Sequence, residues 1–166
     1  MNSIKAGWII IICAVLCGAC KDRRPPVAYT VDIWDAHSSR AYSMDYHISN
    51  DSLSVSFIDG LVGGHDSVLL RRNLTAVERA EMEDYLSSMN IDTLRAEYIN
   101  HAVEDGNQKG VRLQIGTKDK TILLSNVYLE EMKGLFNVIN NVIGDKRYKI
   151  WYEKEVIPDF PRNTKM

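Results

Sequence analysis

The side chains suited to acid–base or metal chemistry fall in three short segments. His65-Asp66 follows Gly63-Gly64, which sets an imidazole beside a carboxylate in a glycine-rich loop. A histidine does chemistry when one ring nitrogen is oriented and the other meets a nucleophile, substrate or metal. Neighbours in an extended chain point their side chains apart, so His65 and Asp66 read as loop polarity. His101, Glu104 and Asp105 share a second loop. No H-E-x-x-H spacing occurs, and the alternating acidic pattern of a calcium loop is missing. An acidic surface turn is expected there. His37 stands beside Asp35, Ser38 and Ser39. Residues that close along one segment do not converge into a triad, and there is no G-x-S-x-G elbow. Gly60-x-x-Gly63-Gly64 lacks the Lys-Ser/Thr of a phosphate loop. The expectation is no catalytic residue, no metal site and no cofactor. The enzymatic alternative, a hydrolase, needs His65, His101 and nearby carboxylates to meet in one pocket.

Thiol chemistry is set aside by a different route. The three cysteines, Cys13, Cys17 and Cys20, all lie within the opening MNSIKAGWIIIICAVLCGAC. Lys5 is followed by an uncharged run from Ala6 to Ala19. That run is shorter than the ~20 residues of a membrane span and fits the apolar part of a secretory leader. Leu16-Cys17-Gly18-Ala19-Cys20 resembles the cleavage site of bacterial lipoproteins, with small residues just before the cysteine. The resemblance implies that residues 1–19 are removed. It also implies that the Cys20 thiol is diacylated and its new amino group acylated. Such cleavage leaves neither a free thiol nor a disulfide. Two or three acyl chains hold a protein stably to a membrane, which a single myristoyl does not. The membrane, through the lipid on Cys20, is therefore an expected partner. Lys21 follows the cysteine and acidic residues near it are scarce. By resemblance to lipoprotein sorting, this places the protein at the outer membrane, facing the periplasm.

Removing 19 of the 166 residues leaves 147, the size of one domain. The whole chain has 20 basic and 22 acidic residues, and no lobe is strongly basic. There is no electrostatic footprint for nucleic acid. Lys21, Arg23 and Arg24 precede Pro25-Pro26 and read as a solvated tether over residues 20–27.

The elements that must position any site follow from periodicity. Tyr29, Val31 and Ile33 alternate with more polar positions, as do Tyr42, Met44, Tyr46 and Ile48, and Leu53, Val55 and Phe57. Period two with a polar face predicts half-buried antiparallel strands, joined at Asn50-Asp51 by a hairpin turn. Ser67 to Arg72 is a fourth strand. Thr75 and Glu78 form a capping box for a helix carrying Met82, Tyr85, Leu86 and Met89 and ending at Asn90. A polar loop from Asn100 to Lys109 precedes two strands, Val111–Ile115 and Thr121–Leu124, turned by Gly116 to Lys120. Tyr128, Met132, Leu135, Phe136, Ile139 and Ile143 share one face of a second helix that Gly144 ends. Tyr148, Ile150 and Tyr152 alternate and predict a last short strand. The fold class is α+β: an antiparallel sheet with two helices packed on one face, in the order ββββαββα(β), spanning 28–153, with a loose tail at 154–166.

Tyr148, Trp151 and Tyr152 form an aromatic group, and aromatic rings are favoured at interfaces. They are the candidate interface. The stretch Glu104 to Lys109, the junction Ser125-Asn126-Val127-Tyr128 and the segment Tyr148 to Tyr152 resemble segments of small lipoproteins of Bacteroidota-type bacteria. This resemblance implies location and size, and no activity. The functional expectation is a non-catalytic, membrane-anchored binding or accessory domain that takes a protein or cell-envelope component through its sheet. The other binding role is an envelope inhibitor or immunity-type protein that projects the Asn100–Lys109 loop.

Overall fold

The computed structural model describes residues 27–61, 64–103 and 105–154. The leader, Cys20, the tether up to Pro26 and nearly all of the tail lie outside the described residues. Seven strands form one sheet: β1 (Tyr29–His37), β2 (Tyr42–Ser49), β3 (Ser52–Asp59), β4 (Ser67–Asn73), β5 (Glu97–Ile99), β6 (Asn107–Ile115) and β7 (Lys118–Ser125). Their spatial order is β4-β3-β2-β1-β6-β7-β5. All pairings are antiparallel except β5 with β7. Helices α1 (Ala76–Ser88) and α2 (Glu130–Ile143) complete the α+β architecture.

Alternation decides which face is covered. Val31, Ile33, Tyr46, Ile48, Leu53, Val55, Val111, Leu113, Ile122 and Leu124 point to one side and are buried. They form a single core with Met82 and Leu86 of α1 and Met132, Leu135, Phe136, Ile139, Val142 and Ile143 of α2. The helices meet at Gly134, where a Cβ would come within 2.3 Å of the Tyr85 hydroxyl. That hydroxyl donates to the Glu131 carbonyl at 2.9 Å.

The capping box is present. The Thr75 hydroxyl accepts from the Glu78 amide, and the Glu78 carboxylate accepts from the Thr75 amide at 2.8 Å. Arg72 reaches across from β4 to the same carboxylate at 2.6 and 2.9 Å, and donates to the Val142 carbonyl near the end of α2. One guanidinium thus ties the sheet to the start of one helix and the end of the other, where a helix dipole favours a cation. The Arg72 hydrogen bond is the main cause that holds the Glu78 carboxyl down to about 2, below its usual value. A depressed carboxyl contributes stability above its unfolded pKa and loses it as pH falls through the folded value. Glu78→Gln is expected to lower the melting temperature at neutral pH. It should also flatten the loss of stability between about pH 4.5 and 2. Identical acid limbs in wild type and variant would show that this bridge adds nothing.

Several boundaries differ from expectation. The first helix stops at Ser88 with Met89 as its cap. Asn90 is not left-handed; it caps a 3₁₀ turn at Ile91–Thr93 by accepting from the Asp92 amide. The short parallel strand β5 then joins the far edge of the sheet. Strand β6 begins at Asn107, so Lys109 lies inside a strand and not in a loop. The turn after β6 is tighter than Gly116 to Lys120, because β7 begins at Lys118. Helix α2 begins at Glu130, and Tyr128 precedes it.

The expected last strand does not form. Residues 146–148 make a 3₁₀ turn, and the extended segment after it joins no strand. The period-two alternation is real, since Ile150 and Tyr152 are buried and Trp151 is exposed. The backbone partner is a side chain. The Asn140 amide accepts from the Ile150 N–H at 2.8 Å and donates to its carbonyl at 3.0 Å. A single asparagine on α2 satisfies the groups a neighbouring strand would have satisfied.

Candidate functional site

The strands present a second face that carries no helix among the described residues. Its residues line up in rows set by strand register. One row runs Leu123, Gly110, Trp34, Asp45, Ser56, Val68. The next runs Thr121, Arg112, Asp32, His47, Ser54, Arg71. Between them is an open depression of about 310 Å³, lined by Trp34, Asp32, Asp45, His47, Ser54, Ser56, Arg112 and Thr121 among others.

Most charges on this face are paired. The His47 ring Nδ1 lies 2.6 Å from Asp32. Arg112 forks onto Asp119 at 2.6 and 3.1 Å, and Gln114 donates to the same carboxylate at 3.2 Å. The Arg112 hydrogen bond is the largest influence holding Asp119 below its ordinary pKa. Asp45 differs. Its Oδ1 is covered and has no hydrogen-bond partner among the described residues. Burial first, then the negative charges of Asp66 and Asp32, pushes its carboxyl above the usual range.

Trp34 is 41% exposed at the centre of the sheet, where a polar side chain would be the ordinary choice. It leans toward Gly110. A Cβ on that glycine would lie 3.9 Å from both Cβ and Cε3 of Trp34, which is ordinary contact. Gly110 has no positive φ. Neither backbone nor clash demands a glycine in mid-strand, and its effect is to leave the floor beside the indole bare.

The residues singled out from sequence are scattered. Trp151 is 59% exposed, with the Lys149 ammonium 4.6 Å from its ring centroid. Tyr148 is half-buried. Tyr152 is not on the surface: its hydroxyl donates to the Val127 carbonyl and accepts from the Leu129 amide, both at 2.9 Å, and its ring stacks on Tyr128. The expected three-residue aromatic interface is therefore reduced to Trp151, with Tyr152 moved into the core.

His65 lies before β4 and His101 lies after β5, at opposite edges of the sheet. Six strand spacings put them roughly 25–30 Å apart, so the pocket a His65–His101 hydrolase needs is not formed. His37 ends β1, where Nδ1 accepts from the Ser39 amide at 3.1 Å, while nearby Asp35 pairs with buried Lys109. Among the described residues no three histidines, cysteines or carboxylates come together as a metal would require. The expected Asn100–Lys109 loop is shortened by β6, which begins at Asn107, and what remains is tied at its base. Buried Asn126 accepts from the Asn107 amide at 2.8 Å and donates to the Asp105 carbonyl at 3.2 Å.

Sequence reasoning passed over Trp34. The signal was present as a large aromatic on the polar phase of an alternating strand, between Asp32 and Asp35 in YTVDIWDAH. Comparison of the chain with family models, with curated proteins and with solved structures finds no match.

Proposed function

We propose that this chain is a non-catalytic binding domain of the bacterial envelope, anchored through lipid on Cys20, that meets a partner across the open face of its sheet. One observation carries the reading. The helices pack on one face, while the other keeps an exposed tryptophan at its centre beside a depression rimmed by paired charges. Isolated exposed apolar residues are common, but an aromatic ring in a polar hollow is the pattern of an anchor at an interface. Neutralising an enzyme would use the same face, since the segment before β6 is tied to Asn126 at its base.

Anchoring makes its own prediction. Cys20→Ala blocks acylation and leaves unprocessed precursor or soluble protein. Acyl label on the variant at the membrane would contradict the assignment. Recovery of the partner from native membranes tests the binding face. Trp34→Ala should reduce recovery by at least about tenfold, the scale of a tryptophan anchor worth 2 kcal/mol or more, while Trp151→Ala leaves it intact. Loss with Trp151→Ala alone would move the interface to the chain's C-terminal segment.

A further inference from the structure

Asp45 and Trp34 stand directly opposite each other in the β1–β2 register. Around them Asp32 meets His47 and Asp119 meets Arg112, while Asp66 accepts from the Asp59 amide at 3.1 Å. Arg71 lies on edge strand β4, in the row of His47 and Ser54 rather than that of Asp45. Among the described residues Asp45 has no cation, and its Oδ1 has no donor. A covered acceptor without a donor is destabilising, and a bound donor relieves that cost. The face therefore holds an indole surface and a carboxylate side by side, with a glycine leaving room next to them.

We propose that this depression binds an arginine side chain from an extended segment of a partner protein. The guanidinium stacks on the Trp34 indole and donates to the Asp45 carboxylate. The inference rests on the open-face reading above and specifies its ligand. Tryptophan is the best of the aromatic rings for a cation, and the planar guanidinium both stacks and offers a fork of N–H donors. A carboxylate turns about its last torsion at little cost, so a bound donor can satisfy either oxygen. The neighbouring negative charges of Asp66 and Asp32, which after burial help hold the Asp45 carboxyl up in the free protein, add to the attraction for a cation. A protein segment fits better than a small cation because the row continues past the hollow. Ser56 and then Val68, 53% exposed, extend it on one side, and Leu123 lies on the other. An extended chain laid across the strands would place apolar neighbours of the arginine on these positions.

The test uses the full lipidated chain in phosphatidylcholine nanodiscs, with the Trp34 indole N–H resonance assigned from the Trp34→Phe spectrum. The probe is a blocked pentapeptide, Gly-Ser-Arg-Ser-Gly, and its control carries citrulline, the neutral isostere, in place of arginine. The arginine peptide should shift the Trp34 resonance saturably. The citrulline peptide, and the arginine peptide on Asp45→Asn, should each bind about tenfold more weakly, the equivalent of 1.4 kcal/mol. Gly110→Val, which adds a branched side chain that suits a strand, should keep the fold and abolish the shift. Equal binding of both peptides would overturn the guanidinium assignment. So would no shift from either peptide while Trp34→Ala still loses the native partner, and in that case the open-face reading stands. Unimpaired recovery of the partner by Trp34→Ala would instead remove the reading on which the inference rests, and the inference with it.

Discussion

Phe136→Ala is expected to destabilise the domain by about 3–5 kcal/mol, the range for truncating a buried phenylalanine. Phe136 is 1% exposed on the inner face of α2. Its ring meets Tyr152 edge-on at 5.0 Å, and Tyr152 stacks on Tyr128 at 5.2 Å. The Tyr152 hydroxyl clamps the chain leading into α2. Removing the ring thus opens a cavity and unseats the residue that holds the C-terminal segment down. Domains of this size are stable by only about 5–15 kcal/mol, so the variant should melt far below wild type or fail to accumulate. A melting temperature equal to wild type would show that α2 does not pack on the sheet as described.

Asp35→Ala should have an effect of similar size for an electrostatic reason. Lys109 is 1% exposed, inside β6 on the helix-covered side, and its ammonium is held by Asp35 across the strand pair. Burial pushes the Lys109 pKa down, and Asp35 works against that. Breaking a buried pair by removing one partner costs about 3–5 kcal/mol because the other charge is left stranded. The sign with pH follows. A lysine whose folded pKa lies below its unfolded value weakens the fold while it is protonated. The deficit of the variant should therefore narrow as pH rises through the lowered folded pKa toward the ordinary lysine value. Replacing both partners, Asp35→Leu with Lys109→Met, should recover much of the loss, since apolar pairs of similar volume often match a buried ion pair. A single variant as stable as wild type at neutral pH would mean that the pair is solvated.

The pattern that placed Lys109 in a loop also shows where sequence reading stops. Its neighbours Glu104 to Gln108 are polar, and nothing local says that Asp35, 74 positions away, will neutralise it. The first four strands and both helices were legible because alternation and three-four spacing persist over whole elements. The C-terminal segment shows the same signal misleading: Tyr148, Ile150 and Tyr152 alternate, yet the partner of Ile150 is the side chain of Asn140. Strand β5 was too short to carry a period. Tyr148, Trp151 and Tyr152 point to an interface because aromatic residues cluster there in sequence. Trp34 is the one aromatic on the polar phase of its strand, and only register brings it beside Asp45 and Gly110.

The central claim is that the open face is where the partner sits. Photo-cross-linking residues placed singly at Ser54, Thr121 and Val77 of the lipidated chain in intact cells test it most directly. Ser54 and Thr121 line the depression, and Val77 is fully on the outer side of α1 at 76% exposure. The predicted result is one common adduct from Ser54 and Thr121 and none from Val77. An adduct from Val77 with none from the other two would place the partner on the helices and contradict the account.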